Sequence, residues 1–114
     1  MTERVLILGG GGTLGHKLWQ LLPAKFPGTF VSIRKPKAYY AKSGLFAVGN
    51  VIDGLDLRDF ARLNSVLDEL RPSVVINAAG VTLRSKEALD KLSVVSVNAL
   101  LPHKLAEWCG KNGS

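Results

Sequence analysis

Apolar residues along the chain follow two alternating periods, and the alternation predicts its elements. Short, nearly continuous apolar runs near 4–8, 29–34, 45–48 and 73–77 read as strands. The first of them, Val5, Leu6, Ile7 and Leu8, carries no polar position and has the branching of a strand buried on both faces. Longer stretches repeat their apolar residues every three or four positions and predict helices near 13–22, 60–71 and 90–109. In the first, Leu14, Leu18, Leu21 and Leu22 form the stripe and Pro23 closes it. In the second, Phe60, Leu63, Val66, Leu67 and Leu70 form the stripe, Asp59 is the N-cap, and Pro72 stops the chain after Arg71. In the third, Val94, Val97, Leu101, Leu105 and Trp108 face a core, and Pro102 inside the pattern predicts a bend or a helix junction. Residues 37–44 have too few periodic apolar positions for more than a loop or short helix, and Gly49, Asn50 and Val51 extend or bend the third strand. Strand and helix in alternation predict an α/β fold, a partial Rossmann-like parallel sheet with flanking helices.

The turn after the first strand reads Gly9, Gly10, Gly11, Gly12, Thr13, Leu14, Gly15. Gly9, Gly12 and Gly15 make a Gly-x-x-Gly-x-x-Gly frame, while Gly10, Gly12 and Gly15 make Gly-x-Gly-x-x-Gly, so the sequence leaves the register open. In either frame the first glycine permits the turn and the middle one lets backbone N–H groups approach a pyrophosphate. Gly15 then lets the helix pack close to the sheet. Gly9, Gly10, Gly12, Thr13, Leu14 and Gly15 are therefore candidate contacts of a dinucleotide. No Lys-Ser/Thr pair follows, as a phosphate-binding P-loop requires. His16, Lys17 and Trp19 form a basic and aromatic helix face, with His16 read as a surface residue beside the loop.

Charge and composition narrow the ligand. The chain of 114 residues has a formal net charge of +6, from 15 basic and 9 acidic residues, which suits an anionic ligand. The basic residues are scattered except between Arg34 and Lys42, and no zinc-finger spacing or aromatic-basic module occurs, which argues against nucleic acid as the partner. Arg34 and Lys35 stand where a dinucleotide site reads the adenine ribose, and no acidic residue follows before Asp53. A basic pair there favours the 2′-phosphate of NADP(H) and leaves NAD(H) as the alternative; a solvated charge pair at a strand end is the other reading. Cys109 is the only cysteine, which excludes an intrachain disulfide and a cysteine metal cluster, and beside a core face it reads as a packed thiol. No metal ligands are assigned. No apolar span reaches membrane length and the first residues already read as a strand, so no membrane contact and a cytoplasmic location are expected.

These motifs, taken in order, resemble the N-terminal half of the extended short-chain dehydrogenase/reductase family. The matching positions are Gly9 to Gly15, Asp56-Leu57-Arg58-Asp59, Asn77-Ala78-Ala79-Gly80 and Val97-Asn98. The run from Arg71 to Gly80 and the run from Val97 to Ala106 look most like the dTDP-4-dehydrorhamnose reductase branch. The resemblance implies that Gly9, Gly12 and Gly15 surround the pyrophosphate and that Asp56 and Leu57 border the adenine. It also implies that Asn77, Ala78, Ala79 and Gly80 support the sheet edge and cofactor, and that Asn98 helps order the active-site framework.

Family members continue with a strand bearing a catalytic Ser or Thr, a Tyr-x-x-x-Lys helix and a substrate-binding region. Here the position four after Tyr39 is Ser43 and that after Tyr40 is Gly44, so these residues contain no such pair and no catalytic residue is assigned. The expectation is that residues 1–114 form an N-terminal dinucleotide-binding domain, the NADP(H)-binding portion of a nucleotide-sugar 4-keto reductase, with the nucleotide-sugar bound by the full-length protein. A noncatalytic nucleotide-sensing protein and a nucleotide-sugar epimerase or dehydratase are the alternatives. An uncovered apolar sheet edge leaves room for a homo-oligomer.

Overall fold

A computed structural model describes residues 3–36, 38, 44, 46, 49–79 and 100–112. Its elements are β1 (Val5–Leu8), α1 (Thr13–Lys25), β2 (Thr29–Ser32), β3 (Asn50–Ile52), α2 (Phe60–Leu70), β4 (Val74–Asn77) and α3 (Leu101–Asn112). The four strands form one parallel sheet in the order β3-β2-β1-β4. β1 is central because it is apolar at every position and can be buried on both faces; Val5 pairs with Thr29 on one side and Val74 on the other.

Alternation along the strands sends side chains into two cores. Leu6 and Leu8 join Leu55, Leu63, Leu67, Leu101, Leu105 and Trp108 on the face covered by α2 and α3. Ile7, Val31, Ile33, Trp19 and Phe46 fill the face covered by α1. Each fully buried leucine or isoleucine contributes about 1.5–3 kcal/mol, so α2 is held chiefly through Leu63 and Leu67.

The ends of α2 are fixed by polar contacts. Asp59 Oδ1 accepts the Arg62 N–H at 3.1 Å, completing the predicted N-cap. At the other end Arg71 takes the left-handed conformation, φ +49°, and its N–H donates to the Leu67 carbonyl at 2.8 Å. Arg4 Nη1 donates to the Leu70 carbonyl at 2.7 Å, and the Ser73 N–H donates to the Arg4 carbonyl at 2.9 Å, tying the end of α2 to the start of β1. Trp108 Nε1 donates to Asp68 Oδ1 at 2.9 Å, which sets α3 against α2.

Several expectations change. The third strand is Asn50–Ile52, later than the apolar run at 45–48; of that run only Phe46 is described, and it is a turn residue buried beside Trp19. α1 continues through Pro23 to Lys25, because a proline in the last turn forfeits only one helical bond and the Phe26 N–H still reaches the Leu22 carbonyl at 2.8 Å. The stripe of α1 is also rotated. Leu14 and Leu21 are 59% and 70% exposed, while Trp19, expected on the basic and aromatic face with His16 and Lys17, is buried in the core cluster against which Leu18 and Leu22 pack. Gly15 dictates this: it must face Gly9, and positions three, four and seven residues later then face the sheet. Pro102 lies in the first turn of α3, and the residues before Leu100 that would reveal a bend fall outside the described residues.

Candidate functional site

The strand order reverses between β1 and β4: the chain moves outward from β1 through β2 to β3, then returns to the far side of β1. In an open parallel sheet that reversal leaves a crevice at the carboxyl ends of the two strands. The glycine turn lies on one side of it and Ala78 and Ala79 on the other.

The turn is shaped by close approach. Gly9 has φ +84°, and a Cβ there would stand 2.7 Å from the Ala79 α-carbon. A Cβ on Gly15 would meet the carbonyl of Gly9, with the carbonyl carbon at 2.8 Å. On Gly10 it would strike the Val31 side chain and lie 3.1 Å from the Ser32 carbonyl oxygen, to which Gly10 donates its N–H at 2.8 Å. Gly12 differs, since its Cβ would find only the Gly9 carbonyl oxygen at 3.6 Å and that of Ala78 at 4.0 Å. The geometry thus separates the two frames: Gly9, Gly12 and Gly15 supply the turn, the open approach and the helix contact, whereas Gly10 closes the turn onto β2.

Gly12 caps α1 without a side-chain hydrogen bond, and no acidic residue lies in the first turn. Its N–H donates to the Gly9 carbonyl at 3.2 Å, while the N–H groups of Thr13, Leu14 and Gly15 have no intrahelical acceptor. With the positive end of the helix dipole they form a ready cradle for an anionic group. Ser32 Oγ accepts the Gly9 N–H at 3.4 Å; the sequence reading missed this residue, a small polar side chain buried at the end of β2.

Arg34 and Lys35 are exposed in the bend that follows Ile33. The Ile33 N–H bonds the Ile52 carbonyl at 2.9 Å and the Leu55 N–H bonds the Ile33 carbonyl at 3.1 Å, so the turn bearing Asp56 is stitched beside the end of β2. Arg58 grips Asp56: Nη2 donates to Oδ2 at 2.6 Å, Nε to Oδ1 at 3.0 Å, and the backbone N–H to Oδ1 at 3.0 Å. These bonds, with smaller help from the Arg34 charge, hold the Asp56 carboxyl down to about 2 despite partial desolvation. Leu57 packs half-buried against the core under α2. Asn77 Oδ1 accepts the Ala79 N–H at 3.1 Å and the Ala78 N–H continues the sheet to the Leu8 carbonyl at 3.0 Å. The structure brings Gly9 to Gly15, Ala78 and Ala79 together at the crevice, and Arg34, Lys35 and Asp56 at the rim beyond it. Gly80 and Asn98 lie outside the described residues, as do Tyr39 and Tyr40.

Cys109 is partly buried against the α2–α3 core and is a free thiol. Among the described residues no cluster of His, Cys, Asp or Glu could hold a metal ion, and no helix is long and apolar enough to cross a membrane. An open cleft of about 820 Å³ lies at the opposite, amino ends of the strands, lined by Arg4, Phe30, Asn50 and Arg71 among others, and shares no residue with the glycine turn.

Solved structures share this fold. L-threonine 3-dehydrogenase from Trypanosoma brucei is 24% identical with a TM-score of 0.82, over 99% of this chain and 35% of that one. A hypothetical dTDP-4-dehydrorhamnose reductase from Sulfolobus tokodaii is 27% identical with a TM-score of 0.75, over 97% and 36%. The dTDP-4-dehydrorhamnose reductase of Bacillus anthracis, solved in complex with NADP, is 22% identical with a TM-score of 0.68, over 100% and 34%. The chain therefore spans about a third of the length of these neighbours. Curated protein sequences give no match. The family model described as the NAD dependent epimerase/dehydratase family matches residues 5–114, nearly the whole chain. With its four parallel strands, its glycine turn at the strand reversal and this match, the chain belongs to the NAD dependent epimerase/dehydratase family.

Proposed function

We propose that this chain is the NADP(H)-binding portion of a nucleotide-sugar 4-keto reductase. The observation that carries the reading is the open backbone at Gly12 and the first turn of α1, set at the reversal of strand order, with Arg34 and Lys35 at the rim where the adenosine end of a dinucleotide would fall. The fit is chemical: N–H groups without intrahelical acceptors suit a pyrophosphate, and two exposed cations suit a 2′-phosphate. The dTDP-4-dehydrorhamnose reductase of Bacillus anthracis was solved with NADP, which supports the cofactor, and the resemblance to that branch supports the substrate class.

In this reading the bound nicotinamide supplies or accepts a hydride. Residues of this chain bind and orient: Gly12 and the first-turn N–H groups of α1 hold the pyrophosphate, Arg34 and Lys35 the 2′-phosphate, and Asp56 and Leu57 border the adenine. Asn77, Ala78 and Ala79 support the sheet edge and the cofactor; the same role for Gly80, and that of Asn98 in ordering the active-site framework, rest on the family resemblance alone. The proton donor and the sugar pocket lie outside residues 1–114, in the full-length protein. A nucleotide-sugar epimerase or dehydratase is the second reading, favoured by the family match itself and by the neighbouring WbmG of Bordetella bronchiseptica, solved in complex with NAD and UDP.

Titration of the full-length protein with NADPH and NADH tests the cofactor. Tighter NADPH binding that collapses toward the NADH value in Arg34→Ala/Lys35→Ala supports the reading, and an initial preference for NADH rejects it. Product analysis with nucleotide-linked 4-keto sugars then separates reduction, which consumes NADPH, from epimerisation, which leaves the cofactor pool unchanged.

A further inference from the structure

An acidic side chain at the ribose rim normally disfavours NADP(H), because it accepts hydrogen bonds from the ribose hydroxyls and repels a 2′-phosphate. Asp56, which borders the adenine in the reading above, brings a carboxylate close to this rim. Asp56 follows Leu55, whose N–H bonds the Ile33 carbonyl at 3.1 Å, so its carboxylate is placed beside the bend at Arg34 and Lys35. Yet neither oxygen is bare: Arg58 donates Nη2 to Oδ2 at 2.6 Å and both Nε and its backbone N–H to Oδ1 at 3.0 Å. Asp53, the other acid here, is also engaged by a neighbour.

We infer that Arg58 is a specificity-determining residue: by occupying both oxygens of Asp56 it prevents that carboxylate from repelling a 2′-phosphate held at Arg34 and Lys35. Arg58 acts through Asp56 as a positioning residue, and the inference rests on the NADP(H) reading above. The fork is suited to this, since a guanidinium binds a carboxylate in its own plane and carries a compensating charge at every ordinary pH. Arg34 contributes a second positive charge near the same carboxylate. A lysine in place of Arg58 would supply the charge without the two-pronged hold.

The test measures dissociation constants of NADPH and NADH by fluorescence titration of the full-length protein and reads their ratio. Arg58→Met, which keeps the length of the side chain, is expected to lower the preference for NADPH about tenfold, equivalent to about 1.4 kcal/mol, by exposing one unit charge. Asp56→Asn added to Arg58→Met removes that charge and is expected to restore the ratio to within about threefold of the original. A structural role alone would not produce this recovery, because the double variant still lacks the guanidinium. An unchanged ratio in Arg58→Met overturns the inference, and so does a fall that the second substitution leaves uncorrected, which would instead indicate direct contact of Arg58 with the phosphate. If Arg58→Met does not fold, Arg58→Lys gives the same reading with a smaller expected fall, about threefold, and an unchanged ratio there overturns the inference equally. The Arg34→Ala/Lys35→Ala protein separates the two levels: loss of NADPH preference there but not in the Arg58 variants overturns this inference alone. Absence of any NADPH preference in the unaltered protein overturns the cofactor reading and this inference with it.

Discussion

At the scale of single residues, the glycines of the turn divide by what surrounds them. Gly9→Ala and Gly15→Ala would force a methyl group into backbone at under 3 Å, so each is expected to cost at least about 2 kcal/mol of stability. Gly12→Ala meets nothing closer than 3.6 Å and has an ordinary φ of −84°, so its cost to folding is expected to stay below about 1 kcal/mol. Its methyl group occupies the open approach to α1, and dinucleotide affinity is expected to fall about tenfold. Urea unfolding paired with NADPH titration of the three variants reads both quantities; equal destabilisation by all three would contradict this division. Asp56 carries a pH signature. Its folded-state value of about 2 lies below the ordinary 3.8, so its contribution is fully present above the unfolded value and fades as pH falls toward 2. The Arg58–Asp56 pair is more than one-third exposed, and screening limits the effect to below about 1 kcal/mol. Unfolding of Asp56→Asn between about pH 2 and pH 5 should show a shallower acid loss than the original protein, and superimposable profiles would refute the assignment.

Elements are held by their ends as much as by their faces. α2 has its N-cap in Asp59 and an unusual end in Arg71, a non-glycine residue at φ +49°. Asp59→Ala is expected to destabilise the protein by about 1 kcal/mol through loss of the bond from the Arg62 N–H. Arg71→Gly is expected to stabilise it, by up to about 1 kcal/mol, because glycine adopts this conformation without a steric penalty. Thermal unfolding of the two variants should therefore shift in opposite directions, and a lowered midpoint in Arg71→Gly would mean that the arginine side chain contributes more than its backbone strain costs. Both ends of α2 were legible in the sequence, since Asp59 and Pro72 bracket a regular stripe. The stripe of α1 was legible only as a helix; its rotation depends on Gly15 meeting Gly9, a contact between turn and helix that periodicity does not register. The third strand was displaced for a related reason, because a short edge strand is selected by pairing with β2, where Val31 meets Val51, more than by its own apolar content.

At the scale of the whole molecule, the reversal of strand order between β1 and β4 gathers distant segments at one crevice. Residues around 9–15 and 77–79 become neighbours there, while Arg34, Asp56 and Arg58 meet along the rim. This division of labour leads to a prediction for residues 1–114 as an isolated polypeptide: measurable dinucleotide binding without reductase turnover. NADPH oxidation and mass spectrometry with nucleotide-linked 4-keto sugars would follow it. Multiple turnover, lost in Gly12→Ala and absent from mock preparations, would place a proton donor within these residues after all.

The elements and the glycine turn follow from local physics that can be read along the chain. An all-apolar strand such as Val5 to Leu8 must be buried on both faces, a stripe at helical spacing must cover a sheet, and a run of glycines between them can only be a close-packed turn. The glycine turn and the Arg34–Lys35 pair already pointed to a dinucleotide, and the resemblance of the motifs added the expectation that Asp56, Leu57 and the turn after Asn77 lie beside it. Which glycine plays which part came from tertiary structure, because Gly9, Gly10, Gly12 and Gly15 are chemically identical and differ only in what a side chain would strike. Ser32 and Arg58 entered the site the same way. A hydroxyl buried at a strand end and a guanidinium two residues from a carboxylate acquire meaning only when the folded chain sets one against the Gly9 N–H and the other across both oxygens of Asp56.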